Sequence, residues 1–220
     1  MVIALFGPKR SGKDTFARFL AERLGKPVTF FRFAEPLKGL VQKMMCLEGF
    51  DDEELKRRED PFFLPDKAPQ LVDQFLLENS LPKLTPDERN LLRMANNKSI
   101  GEAYRYLLQV VGTEIIRQRY PNFFVRYISD AVRKSSASYK IILDGRFRNE
   151  LQGVKQLGGF TIGLVRKHLD LTDNHLSEVE AVRSAEDCHL YFELDEGLEF
   201  VEAAAIKSLI FLKWWELYGA

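Results

Sequence analysis

Gly7-Pro8-Lys9-Arg10-Ser11-Gly12-Lys13-Asp14-Thr15 is the stretch on which the reading of this 220-residue chain turns. It follows the apolar run Val2-Ile3-Ala4-Leu5-Phe6 and leads directly into Phe16-Ala17-Arg18-Phe19-Leu20-Ala21. Strand, glycine loop and helix, in that order, form the context in which this glycine–lysine spacing cradles phosphate. Gly7 and Gly12 let the backbone curl so that its N–H groups converge, and the helix N-terminus adds its positive end. Lys13 is then set against the outer phosphates of a nucleotide. The next residue is Asp14, where Ser or Thr usually offers a hydroxyl to magnesium; Thr15 comes one place later. A carboxylate suits a helix N-terminus and can hold a hydrated magnesium ion, although a first-turn helix acid is the plainer role.

The chain has the length of one domain with a sizeable core. Its 32 basic and 32 acidic residues cancel, so no global field draws it to nucleic acid or an anionic membrane. Cys46 and Cys188 form neither a disulfide framework nor a metal spacing, which points to a reducing cytoplasm. The N-terminal apolar run is too short for a signal or a membrane span, and no other stretch is long enough. A soluble, cytoplasmic protein without membrane or nucleic-acid partners is the expectation.

Beyond the loop the pattern alternates. A helix to about Leu24 ends on Gly25, with Pro27 preventing continuation. Residues 28–33 read as a strand, and Pro36 opens a helix to about Met45. Residues 47–97 carry a dense mixed-charge run and five prolines, and read as a solvated, mostly helical and loop insertion. Within it, Thr85-Pro86-Asp87-Glu88 is a capping box. A second box, Ser99 to Glu102, opens an amphipathic helix on which Ile100, Tyr104, Leu107, Leu108, Val111 and Ile115 recur at helical spacing. Pro121 opens another helix. Residues 139–143 form a strand ending in Asp144-Gly145-Arg146, and a helix then runs to the Gly158-Gly159 stop. Strands 160–165 and 190–194 and a closing helix from about Leu198 to Tyr218 complete the chain.

Strands alternating with helices give an α/β fold with a parallel five-stranded sheet flanked by helices. Ligands in such sheets bind at the carboxyl ends of the strands. The chemical candidates fall there: the loop after Phe6, Glu35 and Lys38, Asp144 and Arg146, and Arg166. Phosphoryl transfer needs two phosphate-bearing ligands in line, magnesium, and positive charge over the moving group. Lys13, Arg146 and Arg166 supply charge, and Asp144 is the acid suited to orient magnesium. His168, His175 and His189 lack metal spacing, and Trp214 and Trp215 read as helix packing.

These residues resemble the phage-type deoxynucleoside monophosphate kinases and, more distantly, the animal-type phosphomevalonate kinases. The carriers are the loop 7–15 with aspartate after its lysine, Phe33-Ala34-Glu35-Pro36-Leu37-Lys38, the run from Arg105 to Glu114, Asp144-Gly145-Arg146 with Glu150, and His175-Leu176-Ser177-Glu178. Thr is common in the family where Gly145 stands, and residues 47–97 match poorly. The resemblance spans roughly residues 3 to 200. It implies an adenylate-kinase-like P-loop kinase, a single domain over 1–220, moving the ATP γ-phosphate to a deoxynucleoside monophosphate. On that footing, Gly7, Lys9, Arg10, Ser11, Gly12, Lys13, Asp14 and Thr15 would cradle ATP, with Asp14 and Asp144 arranging Mg2+. Lys38, Arg105, Gln109, Arg146 and Glu150 would face the acceptor, and 167–180, after Arg166, would form a lid. The resemblance also makes a homodimer plausible, and a phage-encoded protein would act in the host cytoplasm. Two other readings stay open: a phosphomevalonate-type kinase, and a nucleotide-binding regulatory module that transfers nothing.

Overall fold

Residues 1–168 and 176–219 are described by a computed structural model. The first part runs β1 (Val2–Phe6), α1 (Lys13–Leu24), β2 (Val28–Phe31), α2 (Glu35–Met45), α3 (Asp52–Arg57), β3 (Pro61–Phe62), α4 (Ala68–Glu78), α5 (Pro86–Arg93), β4 (Lys98–Ser99) and α6 (Ile100–Gln109). A π-helical stretch, Val110–Arg117, continues α6. Then follow α7 (Phe123–Lys134), β5 (Tyr139–Gly145), α8 (Arg148–Gln156), β6 (Phe160–Arg166), α9 (Leu176–Glu186), β7 (Leu190–Leu194) and α10 (Leu198–Tyr218). The chain divides into two compact units, residues 1–33 with 124–220, and residues 34–123.

The first unit is built on a five-stranded sheet in the order β2-β5-β1-β6-β7, parallel throughout. This is the α/β architecture expected of a P-loop kinase. β1 sits at the centre because Ile3, Ala4, Leu5 and Phe6 are apolar on both faces, as a strand covered on both sides must be. One face of the sheet, through Ile3, Leu5, Ile141, Leu143, Ile162 and Leu164, packs on Phe16, Ala17 and Leu20 of α1 and on Val201, Ala204, Ala205 and Leu212 of α10. The other face carries α8 and α9. A Cβ at Gly163 would lie 2.0 Å from the Ala185 carbonyl oxygen, so α9 sits directly on β6. The chain places β2 and β5 on one side of β1, then crosses to β6 on the other. That reversal opens a crevice at the carboxyl end of β1.

Gly145, where the resembling kinases commonly carry Thr, has a packing reason. A Cβ there would lie 2.5 Å from the Phe6 ring, which fills the space a larger residue needs. β2 is shorter than expected: it ends at Phe31, and the Phe33 N–H turns to the Asp144 carboxylate, 2.7 Å away. The helix assigned to Pro121 starts instead at Phe123, whose N–H first closes a turn onto the Tyr120 carbonyl. Of the two tryptophans, only Trp215 packs as expected, against Phe160 and His189. Trp214 is 57% exposed and touches Tyr218.

The second unit is helical, with β3 and β4 forming a two-residue antiparallel ribbon. Both capping boxes form: Thr85 with Glu88, and Ser99 with Glu102. The 47–97 stretch lies wholly inside this unit, and its Leu55, Val72, Leu76 and Leu92 are fully buried. The mixed-charge run is therefore the outer face of α3 and its flanks. The amphipathic helix expected through Ile115 stays α-helical only to Gln109 and then widens. Gly112 marks the widening, since a Cβ there would meet Leu37 of α2 at 2.5 Å.

Candidate functional site

The loop leaves β1 through Gly7, at φ +145°, where a Cβ would come 2.1 Å from the Leu164 carbonyl oxygen. No side chain fits past the neighbouring strand at that distance. Arg10 and Gly12 also take positive φ, which folds the segment into a tight cup ending on α1. Lys13 opens that helix and is buried. Its Nζ donates to the carbonyls of Gly7 (2.7 Å) and Pro8 (2.6 Å) and to Ser11 Oγ (3.2 Å). Burial first, and then the Arg146 cation, bring its pKa down to about 7 against the opposing pull of Glu178, Asp144 and Asp14. The sequence candidates Asp14, Asp144 and Arg146 are thus all within electrostatic reach of Lys13. Lys9 and Arg10 expose their side chains, whereas Ser11 is buried.

The carboxyl ends of the neighbouring strands supply the remaining groups. Arg166, closing β6, lays its guanidinium against Gly12: a Cβ on that glycine would lie 3.3 Å from Nη2. Its other nitrogen donates to the Asp195 carbonyl. Asp144, near the end of β5, accepts the Phe33 N–H and so ties β5 to the chain leaving β2. Arg146 donates its N–H to Glu150 Oε2 at 2.9 Å, and Phe147 donates to the same oxygen at 3.1 Å. Glu150 is buried and caps α8 in this way, so it fixes the backbone that carries Arg146.

Two further groups were not among the sequence candidates. Arg32, just past β2, ion-pairs with Asp14 at 2.5 Å. Its place at a strand's carboxyl end is the same as that of Arg166, and it arises because β2 ends at Phe31 rather than at Phe33. In the sequence Glu178 stands out only through the resemblance of the segment 175–178. In the structure it is buried on α9, its Oε1 paired with the Arg146 guanidinium and its Oε2 accepting the Lys9 N–H at 2.9 Å. Of the expected lid 167–180, residues 169–175, His175 included, lie outside the described residues. Lys167 pairs with Asp195 at 2.8 Å.

Lys38, Arg105 and Gln109 belong to the second unit. Lys38 pairs with Asp52 at 3.0 Å, and Lys56 reaches the same carboxylate at 2.8 Å. The Tyr104 hydroxyl donates to Asp52 Oδ1 at 2.5 Å. Burial alone would raise the Asp52 pKa, but Lys56, Tyr104 and Lys38 outweigh it and hold the carboxyl down at about 2. Arg105 donates to the Lys56 carbonyl at 2.6 Å, and Gln109 is exposed at the end of α6. The node on Asp52 therefore links α2, α3 and α6 around two of the three candidates.

His189 serves structure: its Nδ1 accepts the Thr161 N–H at 3.0 Å, and its ring stacks on Phe160. Among the described residues no helix is long and apolar enough to cross a membrane. Nor does any cluster of three or more His, Cys, Asp or Glu form a metal cage among them. Magnesium needs no such cage, since one or two carboxylates and substrate phosphates suffice. The pair Asp14 and Asp144, both near the loop lysine, fits that requirement.

No family model matches the chain. Over 194 residues, 82% of this chain and 81% of the relative, it is 29% identical to an Acanthamoeba polyphaga mimivirus protein named "Putative deoxynucleotide monophosphate kinase".

Proposed function

We propose that the protein is an ATP-dependent kinase that transfers the γ-phosphate to a deoxynucleoside monophosphate, giving the diphosphate and ADP. The observation that carries this reading is the buried Lys13 ammonium, held in a glycine loop at the carboxyl end of the central strand with Arg146 and three carboxylates, Glu178, Asp144 and Asp14, around it. The name of the mimivirus relative supports the acceptor class.

In this reading the loop amides from Lys9 to Thr15 and the α1 N-terminus hold the triphosphate, and Lys13 turns to its β- and γ-oxygens. Arg166 lies against Gly12, suited to the donor, and Arg146 faces the transferring group. Lys38, Arg105 and Gln109 are the acceptor's groups, the first two for its phosphate and the amide for its base. An acceptor phosphate oxygen attacks the γ-phosphorus as the bridge to the β-phosphate breaks, and the bridging electrons leave on ADP. Asp14 and Asp144 would hold a hydrated magnesium ion, which neutralises charge on the β- and γ-phosphates when bound. Positioning and fixed charge, rather than covalent chemistry, supply most of the rate.

The test is ADP release with ATP, magnesium and a panel of dAMP, dGMP, dCMP, dTMP, the ribonucleotides and phosphomevalonate. Turnover with one or more deoxynucleotides is expected. Turnover with phosphomevalonate alone, or with no acceptor at all, would overturn the proposal.

A further inference from the structure

Glu178 occupies groups that the proposed function assigns to phosphate. Its Oε2 takes the Lys9 N–H, one of the loop amides that converge on an anion, and its Oε1 takes the Arg146 guanidinium. We infer that Glu178 sets the loop's selectivity for polyphosphate ligands by acting as an internal competing anion. This rests on the loop being the donor site, as proposed above.

The carboxylate is delivered by a fixed element. α9 lies on the sheet through the fully buried Ala181 and Ala185, with the Ala185 carbonyl directly over Gly163. The helix has no room to settle closer and carries Glu178 at 5% exposure. A buried charge is tolerated when paired and hydrogen-bonded, and both oxygens are. Lys13 and Arg146 repel each other, and Glu178 offsets both. An incoming phosphate must therefore take over Arg146 and the Lys9 amide while Glu178 swings aside. A ligand with one phosphate gains few contacts in return. A di- or triphosphate also reaches Lys13 and the amides nearer α1, and so displaces the carboxylate. Glu178 thereby keeps single-phosphate compounds, the acceptor among them, out of the donor loop.

The experiment measures ADP binding by calorimetry and orthophosphate as a competitor against ADP. Wild type is compared with Glu178→Gln, which keeps shape and an acceptor oxygen, and with Glu178→Asp, whose shorter carboxylate cannot span both donors. Orthophosphate should compete about tenfold better in the Gln variant, with a smaller gain for ADP and an intermediate result for Asp. An unchanged orthophosphate-to-ADP ratio in both variants, with ADP still bound, would overturn this inference and leave the kinase reading standing. Failure of wild type to bind ADP would overturn both.

Discussion

The Lys13 ammonium lies 2.6 Å from the carbonyl oxygen of Pro8, inside the loop that precedes its own helix. Two carbonyls and a hydroxyl hold it there, and burial with a neighbouring cation brings its pKa to about 7. The loop thus holds a lysine cation against its own carbonyls. Lys13→Ala should lower kcat by about 10²–10³, the usual cost of removing one preorganised charge-stabilising donor. The variant should retain its circular-dichroism spectrum. Wild-type turnover in a folded variant would show that the loop is not the donor site.

Asp52 makes the second unit acid-sensitive. Its carboxyl is held down at about 2 in the fold, below the ordinary aspartate value of 3.8, because Lys56, Tyr104 and Lys38 outweigh its burial. A depressed carboxyl stabilises fully above its unfolded pKa and loses that contribution as pH falls through its folded one. Asp52→Asn should therefore cost roughly 2 kcal/mol at pH 7, with the gap to wild type closing between about pH 4 and pH 2. Urea denaturation at pH 7 and pH 3 measures it. A gap independent of pH would contradict the assigned pairing.

Gly145 and Phe6 should behave as one packing unit. Gly145→Thr, the residue common in the resembling family, drives a side chain into the Phe6 ring and should destabilise by about 1–3 kcal/mol. Adding Phe6→Leu should return part of that loss, so the double variant is more stable than the sum of the single effects. Strict additivity in thermal melts would remove the packing explanation.

The loop, the alternation of strands and helices and both capping boxes were legible in the sequence because each is set by local chemistry. Gly7, Gly12, Thr85 and Ser99 need only their neighbours to be understood. What stayed hidden depends on packing between distant segments. Arg32 became a strand-end cation because Phe33 leaves the ladder for Asp144, over a hundred residues away. Glu178 reaches Lys9 and Arg146 because α9 lies on β6 over Gly163, a relation with no short-range signal. The π-helical turn at Val110–Arg117 likewise follows Gly112 meeting Leu37, where helical periodicity alone continued the α-helix.

The fate of the γ-phosphate tests the central claim most directly. The protein is incubated with magnesium, ATP labelled at the γ-position and the deoxynucleoside monophosphate it turns over best, and the products are separated. The account predicts label in the deoxynucleoside diphosphate, in step with ADP release, and its loss with Lys13→Ala. Label released only as orthophosphate, or retained in ATP, would contradict it.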